Sequence, residues 1–269
     1  MTQNSKRATL RILSLGWGVQ SWTIAAMIAK GELPPVDYAI HSDTTWEHIY
    51  TYNLARKWTP WLENHGVKVR TVYSERTEVV REDWSGPVII PAFTENHETG
   101  HAGQVRRECT HDWKITPIRR FIRTIIDKPV AGCVEMIMGI SFDEWSRMKT
   151  SDVKYIENTY PLVDSRISRA DCVGWLEKNE LEIPGKSGCV FCPYTSRVRW
   201  QQLKRRGGKD WDTAIEIDES IRHKRPGHDL FIHAYRKPLP TAVSIPEDFG
   251  AEQMEMWPEA TCDGGHCFT

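Results

Sequence analysis

The sequence predicts an α/β fold, a Rossmann-like doubly wound parallel sheet followed by a mainly helical, cysteine-bearing C-terminal region. Two observations lead to this prediction. Three short apolar segments alternate with two helical segments between Leu10 and Tyr73, and this order is typical of parallel sheets. The first apolar segment also runs into a glycine-rich turn that opens the first helical segment, as in many nucleotide-binding folds.

The composition is that of an ordinary globular protein. Of the 269 residues, 26% are charged and 40% are hydrophobic, which excludes disordered, collagen-like and coiled-coil chains. Lysine and arginine number 35 against 36 acidic residues, so the net charge is −1. This balance excludes a globally basic nucleic-acid binder, but it leaves a local basic face open.

Local patterns predict the elements in order. Apolar runs predict the strands, and helix-forming segments closed by glycine predict the helices. Residues 75–107 lose the pattern and are interpreted as a long surface excursion over a site. The chain is expected to divide into a sheet domain, residues 1–165, and a C-terminal region, residues 166–269. The predicted strands are 10–15, 36–41, 67–73 and 134–140, and the predicted helices are 22–30, 48–64, 113–126, 168–180, 195–206 and 210–223.

The uncharged run at residues 12–29 follows three basic residues and superficially resembles a secretory signal. Ser14, Gly16 and Gly18 interrupt it, so the run predicts a strand, a turn and a helix start. Seven cysteines at uneven spacings favour free thiols or a metal site in a reducing compartment. The sequence therefore predicts a soluble cytoplasmic protein without a membrane span.

The turn between the first strand and the first helix is a candidate phosphate-binding loop. Glycines let a backbone approach a phosphate, and a helix N-terminus supplies N–H donors and a favourable dipole. The segment is neither a Walker A motif nor a dinucleotide fingerprint, and a tight strand–helix turn is the structural alternative. Its residues are Ser14, Gly16, Trp17, Gly18, Val19, Gln20 and Ser21.

Polar clusters also follow the second and fourth predicted strands. Ligands of open α/β sheets bind at the carboxyl ends of strands, so these clusters indicate a shared site. Helix capping explains either cluster alone, and a solvated Glu144–Arg147 pair is a further alternative for the second. The candidate residues are Asp43, Thr44, Gly139, Ser141, Asp143 and Arg147.

The cysteines form two groups. Cys189 and Cys192 are a two-residue knuckle suited to zinc or an iron–sulfur cluster. Cys109 and Cys172 lie in polar surroundings and are predicted to complete the metal set, with buried structural thiols as the alternative. In the tail, thiolates of Cys262 and Cys267 would serve as mobile nucleophiles or a redox pair, although a metal site or an inert end explains them equally well. The predicted metal ligands are Cys109, Cys172, Cys189 and Cys192.

Basic residues between positions 197 and 209 alternate with Trp200 and Trp211. Such a face would bind a nucleic-acid backbone and stack bases, while a solvated helix face is the competing interpretation. A second basic stretch lies near Cys109. The two stretches comprise Arg197, Arg199, Lys204, Arg205, Arg206 and Lys209, and Arg106, Arg107, Arg119, Arg120 and Arg123.

Taken together, these motifs resemble the PP-loop pyrophosphatases of the adenine-nucleotide α-hydrolase superfamily, and within it the PAPS-reductase-like branch. Residues 14–21 resemble the phosphate loop of that branch, although Gln20 stands where the wider superfamily has Asp. Residues 43–47 resemble its Asp-Thr-Gly-Trp-Glu segment, and Arg147 resembles its substrate-side arginine. Residues 186–193 resemble the stretch that contains its cysteine pair.

The resemblance implies a domain that binds ATP, or APS or PAPS, with phosphate on residues 16–21. One activity of the branch adenylates an acceptor, releases pyrophosphate and lets sulfur displace AMP, as in tRNA thiolation and DNA phosphorothioation. The resemblance also implies a cysteine-bound 4Fe–4S cluster, with zinc as the alternative metal. Mg²⁺ is expected with ATP, and Asp43 or Asp143 is its candidate ligand. A nucleic-acid acceptor and a sulfur donor such as a cysteine desulfurase are the implied partners.

Three hypotheses follow. The preferred one is an ATP-using sulfur-transfer enzyme in which Asp43, Arg147, Cys262 and Cys267 act catalytically. The second is a thiol-dependent APS or PAPS reductase with Cys262 as nucleophile, although Cys262-Asp-Gly-Gly-His266 carries one residue more than the reductase tail. The third is a non-catalytic, metal-stapled nucleic-acid-binding protein. Four cysteine ligands would close a cluster, whereas three would leave one iron open.

Overall fold

The computed structural model describes residues 9–75 and 90–244. In this part of the chain, strands and helices alternate from Leu10 to Tyr73, and four helices follow one another between Pro161 and Ile221. The strands are β1 (Leu10–Ser14), β2 (Tyr38–Asp43), β3 (Val69–Tyr73), β4 (Phe93–Asn96), β5 (Ala102–Gln104), β6 (Val134–Ile137), β7 (Ile156–Thr159) and β8 (His228–Phe231). The helices are α1 (Val19–Ala29), α2 (Ile49–Asn64), α3 (Thr116–Ile125), α4 (Pro161–Asp164), α5 (Arg169–Lys178), α6 (Arg197–Arg206), α7 (Lys209–Ile221) and α8 (Leu239–Ala242).

Five strands form one sheet in the order β3-β2-β1-β6-β7, and each neighbouring pair is parallel. The chain runs outward from β1 to β3 and then returns to the other side of β1. The strand order therefore reverses between β1 and β6. This arrangement confirms the predicted doubly wound sheet, and ligands of such sheets bind at the reversal point.

Alternate residues of each strand point to opposite faces of the sheet, and each face packs against its own hydrophobic core. Leu13 and Ile137 point to a face packed by helices α1, α2 and α5, whereas Ile12 and Met136 belong to a core that includes α3. Helices on both faces explain why consecutive residues are buried along the inner strands β1 and β2, whereas the edge strands β3 and β7 include exposed positions. Helix α5, predicted to belong to the C-terminal region, packs against α1 in the first of these cores.

A second, antiparallel sheet has the order β5-β4-β8 and adjoins a third core that contains residues of α6 and α7. The prediction of a patternless excursion at residues 75–107 is therefore wrong for β4 and β5. These strands have four and three residues, and β4 pairs with β8, which lies more than 130 residues later. Residues 76–89 of the predicted excursion lie outside the described residues.

Helix boundaries differ from the sequence predictions by a few residues. Helix α1 begins at Val19 rather than at residue 22, so the glycine turn leads directly into the helix. Strand β7 was not predicted, and α3 is preceded by one π-helical turn at His111–Ile115. Within the described ranges, no helix is long and apolar enough to cross a membrane.

Candidate functional site

The turn after β1 presents the N-terminus of α1 at the point where strand order reverses. Gly18 is the N-cap residue in extended conformation, and no side chain caps the helix. The first turn of α1 contains no acidic residue. The first N–H groups of α1 therefore have no side-chain acceptor from the cap, and no acidic side chain offsets the positive end of the helix dipole. An anion site requires both conditions.

Internal hydrogen bonds hold this turn in shape. Ser21 Oγ accepts from Gly16 N–H at 3.2 Å and donates to Gly18 O at 3.3 Å. Trp17, between the two glycines, has a φ of 55°, a left-handed conformation that costs free energy in a non-glycine residue and is often found at functional sites. The turn is thus a defined loop, stabilised from within and by the core packing of Trp17.

Two glycines allow other segments to approach the loop. A Cβ on Gly139, just beyond β6, would lie 2.8 Å from the backbone nitrogen of Ser21. A Cβ on Gly18 would lie 2.9 Å from Ser187 Oγ in the segment before the cysteine knuckle. Both distances are shorter than real Cβ contacts, so glycine is required unless the neighbours move.

Gln20 connects the loop to the polar cluster after β6. Its amide nitrogen donates to Glu144 Oε2 at 3.0 Å and lies 3.4 Å from the hydroxyl of buried Ser141. Glu144 also pairs with Arg147. Glu144, which the sequence analysis considered only as the solvated partner of Arg147, therefore places a carboxylate beside the loop.

The solvated-pair interpretation of Glu144 and Arg147 is wrong, because their side chains are only 12% and 8% exposed. Burial raises the pKa of Glu144, and the Arg147 guanidinium opposes that rise. Asp143 in the same segment is exposed, and its Oδ1 accepts from Arg169 N–H at 2.8 Å at the start of α5. Arg147 therefore lies at the site, whereas one oxygen of Asp143 is engaged in capping.

Asp43 ends β2 and is 9% exposed. Its Oδ1 accepts from Thr45 N–H at 2.7 Å and from the Tyr52 hydroxyl at 2.9 Å. The helix-cap interpretation of Asp43 and Thr44 is wrong, because α2 begins at Ile49 and Asp210 accepts from the Ile49 N–H. Asp43 thus shapes the loop after β2.

That loop also holds the cysteine knuckle. Trp46 O accepts from Val190 N–H at 2.9 Å, and Glu47 forms an isolated antiparallel bridge with Cys189. Thr44 Oγ1 lies 3.3 Å from Cys189 Sγ. Two motifs that the sequence analysis treated separately therefore meet at one place.

Three of the four predicted metal ligands line one small cavity of about 30 Å³, namely Cys109, Cys189 and Cys192. The fourth, Cys172, is buried in α5 within the core shared with α1, where burial raises its pKa to about 11. The predicted set of four is not brought together. Across residues 9–75 and 90–244, no group of three or more His, Cys, Asp or Glu side chains is arranged to hold a metal ion.

A buried ion pair lies beside the thiols and was missed in the sequence. Lys114 Nζ is 3.6 Å from Glu47 Oε1, with side chains 10% and 2% exposed. Burial raises the pKa of the Cys189 thiol, Glu47 raises it further, and Lys114 lowers it. The only sequence signal was the position of Lys114 in a helical stretch between apolar neighbours.

A larger cavity of about 470 Å³ opens beside the phosphate loop, and we call it the basic cleft. Trp200 and Trp211 are 1% and 8% exposed, so the predicted stacking of bases on these two rings is wrong. In the second basic stretch, Arg119 pairs with Asp152 and Arg120 with Glu75. The cleft is lined by the cations Arg169, Lys186, Arg199 and Arg206, and by His48 and Tyr50.

The predicted nucleophiles Cys262 and Cys267 lie outside the described residues.

Among solved structures, the chain is similar to phosphoadenylyl-sulfate (PAPS) reductase from Candida auris in its phosphate complex. The identity is 15% and the TM-score 0.42, over 65% of this chain and 74% of that chain. No protein-family model matches the chain, and no curated protein matches it.

Proposed function

We propose that this protein is a PP-loop enzyme that binds ATP, adenylates an acceptor and supports sulfur transfer to it. One observation carries the proposal. The uncapped N-terminus of α1 lies where the sheet reverses its strand order. The turn that leads to it is closely approached by other segments at Gly18 and by Gly139, where an added Cβ would meet its neighbours. That combination suits a nucleotide phosphate.

In the proposed reaction, an acceptor oxygen attacks the α-phosphorus of ATP and the bond to pyrophosphate breaks. A hydrosulfide ion released by a sulfur donor then attacks the activated acceptor atom, the bond from that atom to the AMP oxygen breaks, and AMP leaves. The N–H groups at the start of α1 hold the phosphate, and Gln20 keeps Glu144 and Arg147 beside it. Positioning and electrostatic stabilisation account for most of the rate of such transfers.

Mg²⁺ would neutralise charge on the leaving pyrophosphate. Asp43 fits this role better than Asp143, because it is buried at the end of β2 whereas Asp143 is exposed and caps α5. One carboxylate with phosphate and water ligands is an ordinary Mg²⁺ site.

A four-cysteine iron–sulfur cluster or zinc site does not fit the described residues. Of the four predicted ligands, Cys109, Cys189 and Cys192 line the cavity, whereas Cys172 is buried in the core that α5 shares with α1. No step of the proposed reaction passes through a metal centre at these cysteines.

Calorimetry tests the proposal on anaerobically purified protein titrated with Mg·ATP, APS and PAPS in parallel. We expect ATP to bind more tightly than APS and PAPS, and pyrophosphate to appear once an acceptor is supplied. Ser21→Ala removes both hydrogen bonds that brace the loop and should weaken ATP binding about three- to tenfold. Ser220→Ala removes a similar bond within α7 and should leave ATP binding unchanged.

Other outcomes identify the alternatives. Preferential binding of APS or PAPS, with sulfite release lost in Cys262→Ser, would establish the reductase and contradict the proposal. Absence of all nucleotide binding, together with steeply salt-dependent nucleic-acid binding, would leave the non-catalytic binding protein.

A further inference from the structure

The basic cleft is a cavity distinct from the phosphate loop. Its volume of about 470 Å³ lies within the ~300–1,000 Å³ typical of ligand sites. The side chains assigned to nucleotide binding, at positions 14–21, 43, 44, 139, 141 and 143, do not line it. Four of its described lining residues are cationic and none is acidic, in a chain with a net charge of −1.

The cations come from three separate segments. Arg199 and Arg206 lie seven residues apart on one face of α6, Arg169 begins α5, and Lys186 belongs to the segment before the cysteine knuckle. Positive charge in the cleft is thus contributed by three parts of the chain rather than by a single solvated helix face.

An aromatic pair adds a second recognition element. The rings of His48 and Tyr50 stack with centroids 5.1 Å apart and an interplanar angle of 10°. The Arg206 guanidinium lies 5.7 Å from the centroid of the Tyr50 ring. Planar rings beside guanidinium groups are what unpaired bases stack upon.

The cleft adjoins the phosphate loop. The Tyr50 hydroxyl donates to Lys186 O, and the next residue, Ser187, lies against Gly18. A ligand that fills the cleft would therefore place one end beside a phosphate on the loop.

We propose that the basic cleft binds a single-stranded segment of nucleic acid through its phosphates and delivers one nucleotide of it to the phosphate loop as the acceptor. The acceptor role rests on the proposed function, whereas binding of the strand does not. Arg169, Arg199 and Arg206 contact phosphates, and the His48–Tyr50 pair supports a base.

Fluorescence anisotropy with a labelled 20-nucleotide single strand, as DNA and as RNA, tests the proposal between 50 and 300 mM salt. We expect Arg169→Ala, Arg199→Ala and Arg206→Ala each to weaken binding about three- to tenfold and to reduce the salt slope by ~0.7. The triple variant should lose about thirty- to a thousandfold, if the three losses are additive in free energy. Arg56→Ala provides the control, because Arg56 is exposed on α2, does not line the cleft and belongs to neither basic stretch.

Circular dichroism and thermal unfolding of each variant establish that the fold is retained. If the triple variant misfolds, the three single variants decide the question. Unchanged strand affinity and salt slope in all three would overturn the proposal. So would loss of Mg·ATP binding in these variants while the strand still binds, because the cleft would then belong to the nucleotide.

The two proposals fail separately. Wild-type protein that binds the strand through these arginines but does not bind ATP would overturn the proposed function and leave the cleft assignment standing. Wild-type protein that binds ATP but neither the DNA nor the RNA strand would overturn the cleft assignment and leave the proposed function standing.

Discussion

The loop at residues 14–21 and the basic cleft are adjacent, and the two proposals give them different means of attracting anions. Residues 14–21 contain no charged side chain, so the loop would act through backbone N–H groups and the dipole of α1. The cleft would act through four side-chain cations on three segments. A site built from backbone dipoles is sensitive to backbone position, whereas a site built from side-chain cations is sensitive to charge and to salt. Backbone substitutions and changes of salt should therefore affect the two regions differently.

The largest effect is expected next to the basic cleft, at Glu47, which precedes the cleft residue His48 and forms a buried pair with Lys114 beside the knuckle. Lys114→Met leaves the Glu47 charge buried without this partner and should lower the free energy of unfolding by about 3–5 kcal/mol. Urea denaturation measures it. The Glu47→Leu/Lys114→Met double variant should recover most of the loss, and a loss below about 1 kcal/mol in the single variant would contradict this account.

Acid should lower the free energy of unfolding through His233. This residue lies near Arg197 at the start of α6, the helix that contributes Arg199 and Arg206 to the cleft. Burial, helped by Arg197, lowers the pKa of His233 to about 4. Below pH ~6.5 His233 binds a proton in the unfolded chain but stays neutral in the folded chain. The free energy of unfolding therefore falls by about 3 kcal/mol between pH ~6.5 and ~4. Above pH ~6.5 this contribution to stability is fully present.

The measurement is the free energy of unfolding against pH for wild type and His233→Asn. The variant should lack this loss, so the two curves should converge as the pH falls. His101→Asn, at an exposed position, should follow the wild type. Parallel curves for wild type and His233→Asn would show that His233 does not titrate as described.

Gly139→Ala tests the backbone side of the comparison. The added Cβ meets the Ser21 backbone at 2.8 Å, so the start of α1 must move. We expect a loss of about 1–3 kcal/mol in stability and at least tenfold weaker ATP binding by calorimetry, with strand binding in the cleft retained. Gly174→Ala in α5 adds a Cβ with nothing within 4 Å and should stabilise by about 0.5–1 kcal/mol. Equal effects of the two substitutions would refute the close-approach argument.

The smallest effect is that of salt on wild-type protein. Each phosphate contact of a single strand contributes a slope of about −0.7, so three contacts predict more than tenfold weaker strand binding between 50 and 200 mM salt. ATP affinity should fall less than about threefold, because the loop contributes dipoles and no side-chain cations. Similar salt slopes for the two ligands would remove the distinction between the regions.

The sequence predicted the features that depend on neighbouring residues. Apolar periodicity located the main strands and helices, and glycine spacing located the loop. It did not predict β4, β5 and β8, because strands of three or four residues carry too little pattern and their pairing spans most of the chain.

The errors in predicting the site also come from contacts between segments that are distant in the sequence. Cys172 was selected for its polar neighbours, although its i, i+4 relation to Leu176 placed both on the buried face of α5. Glu144 was interpreted as a solvated partner of Arg147, because its other partner, Gln20, lies 124 residues away in the sequence. Distant contacts of this kind leave no periodic signal in the sequence.

The pairing of Trp46 with Val190 has a consequence for folding. The two residues are more than 140 positions apart, and closing so long a loop is slow, since its entropic cost precedes the contacts that offset it. By contrast, β1 pairs with nearby β2, where Ile12 lies opposite Tyr38, and the hydrogen bonds that brace the loop at residues 14–21 join residues no more than five positions apart. We expect the loop to form early, while the cysteine cavity and the basic cleft assemble last, upon a surface that is already folded.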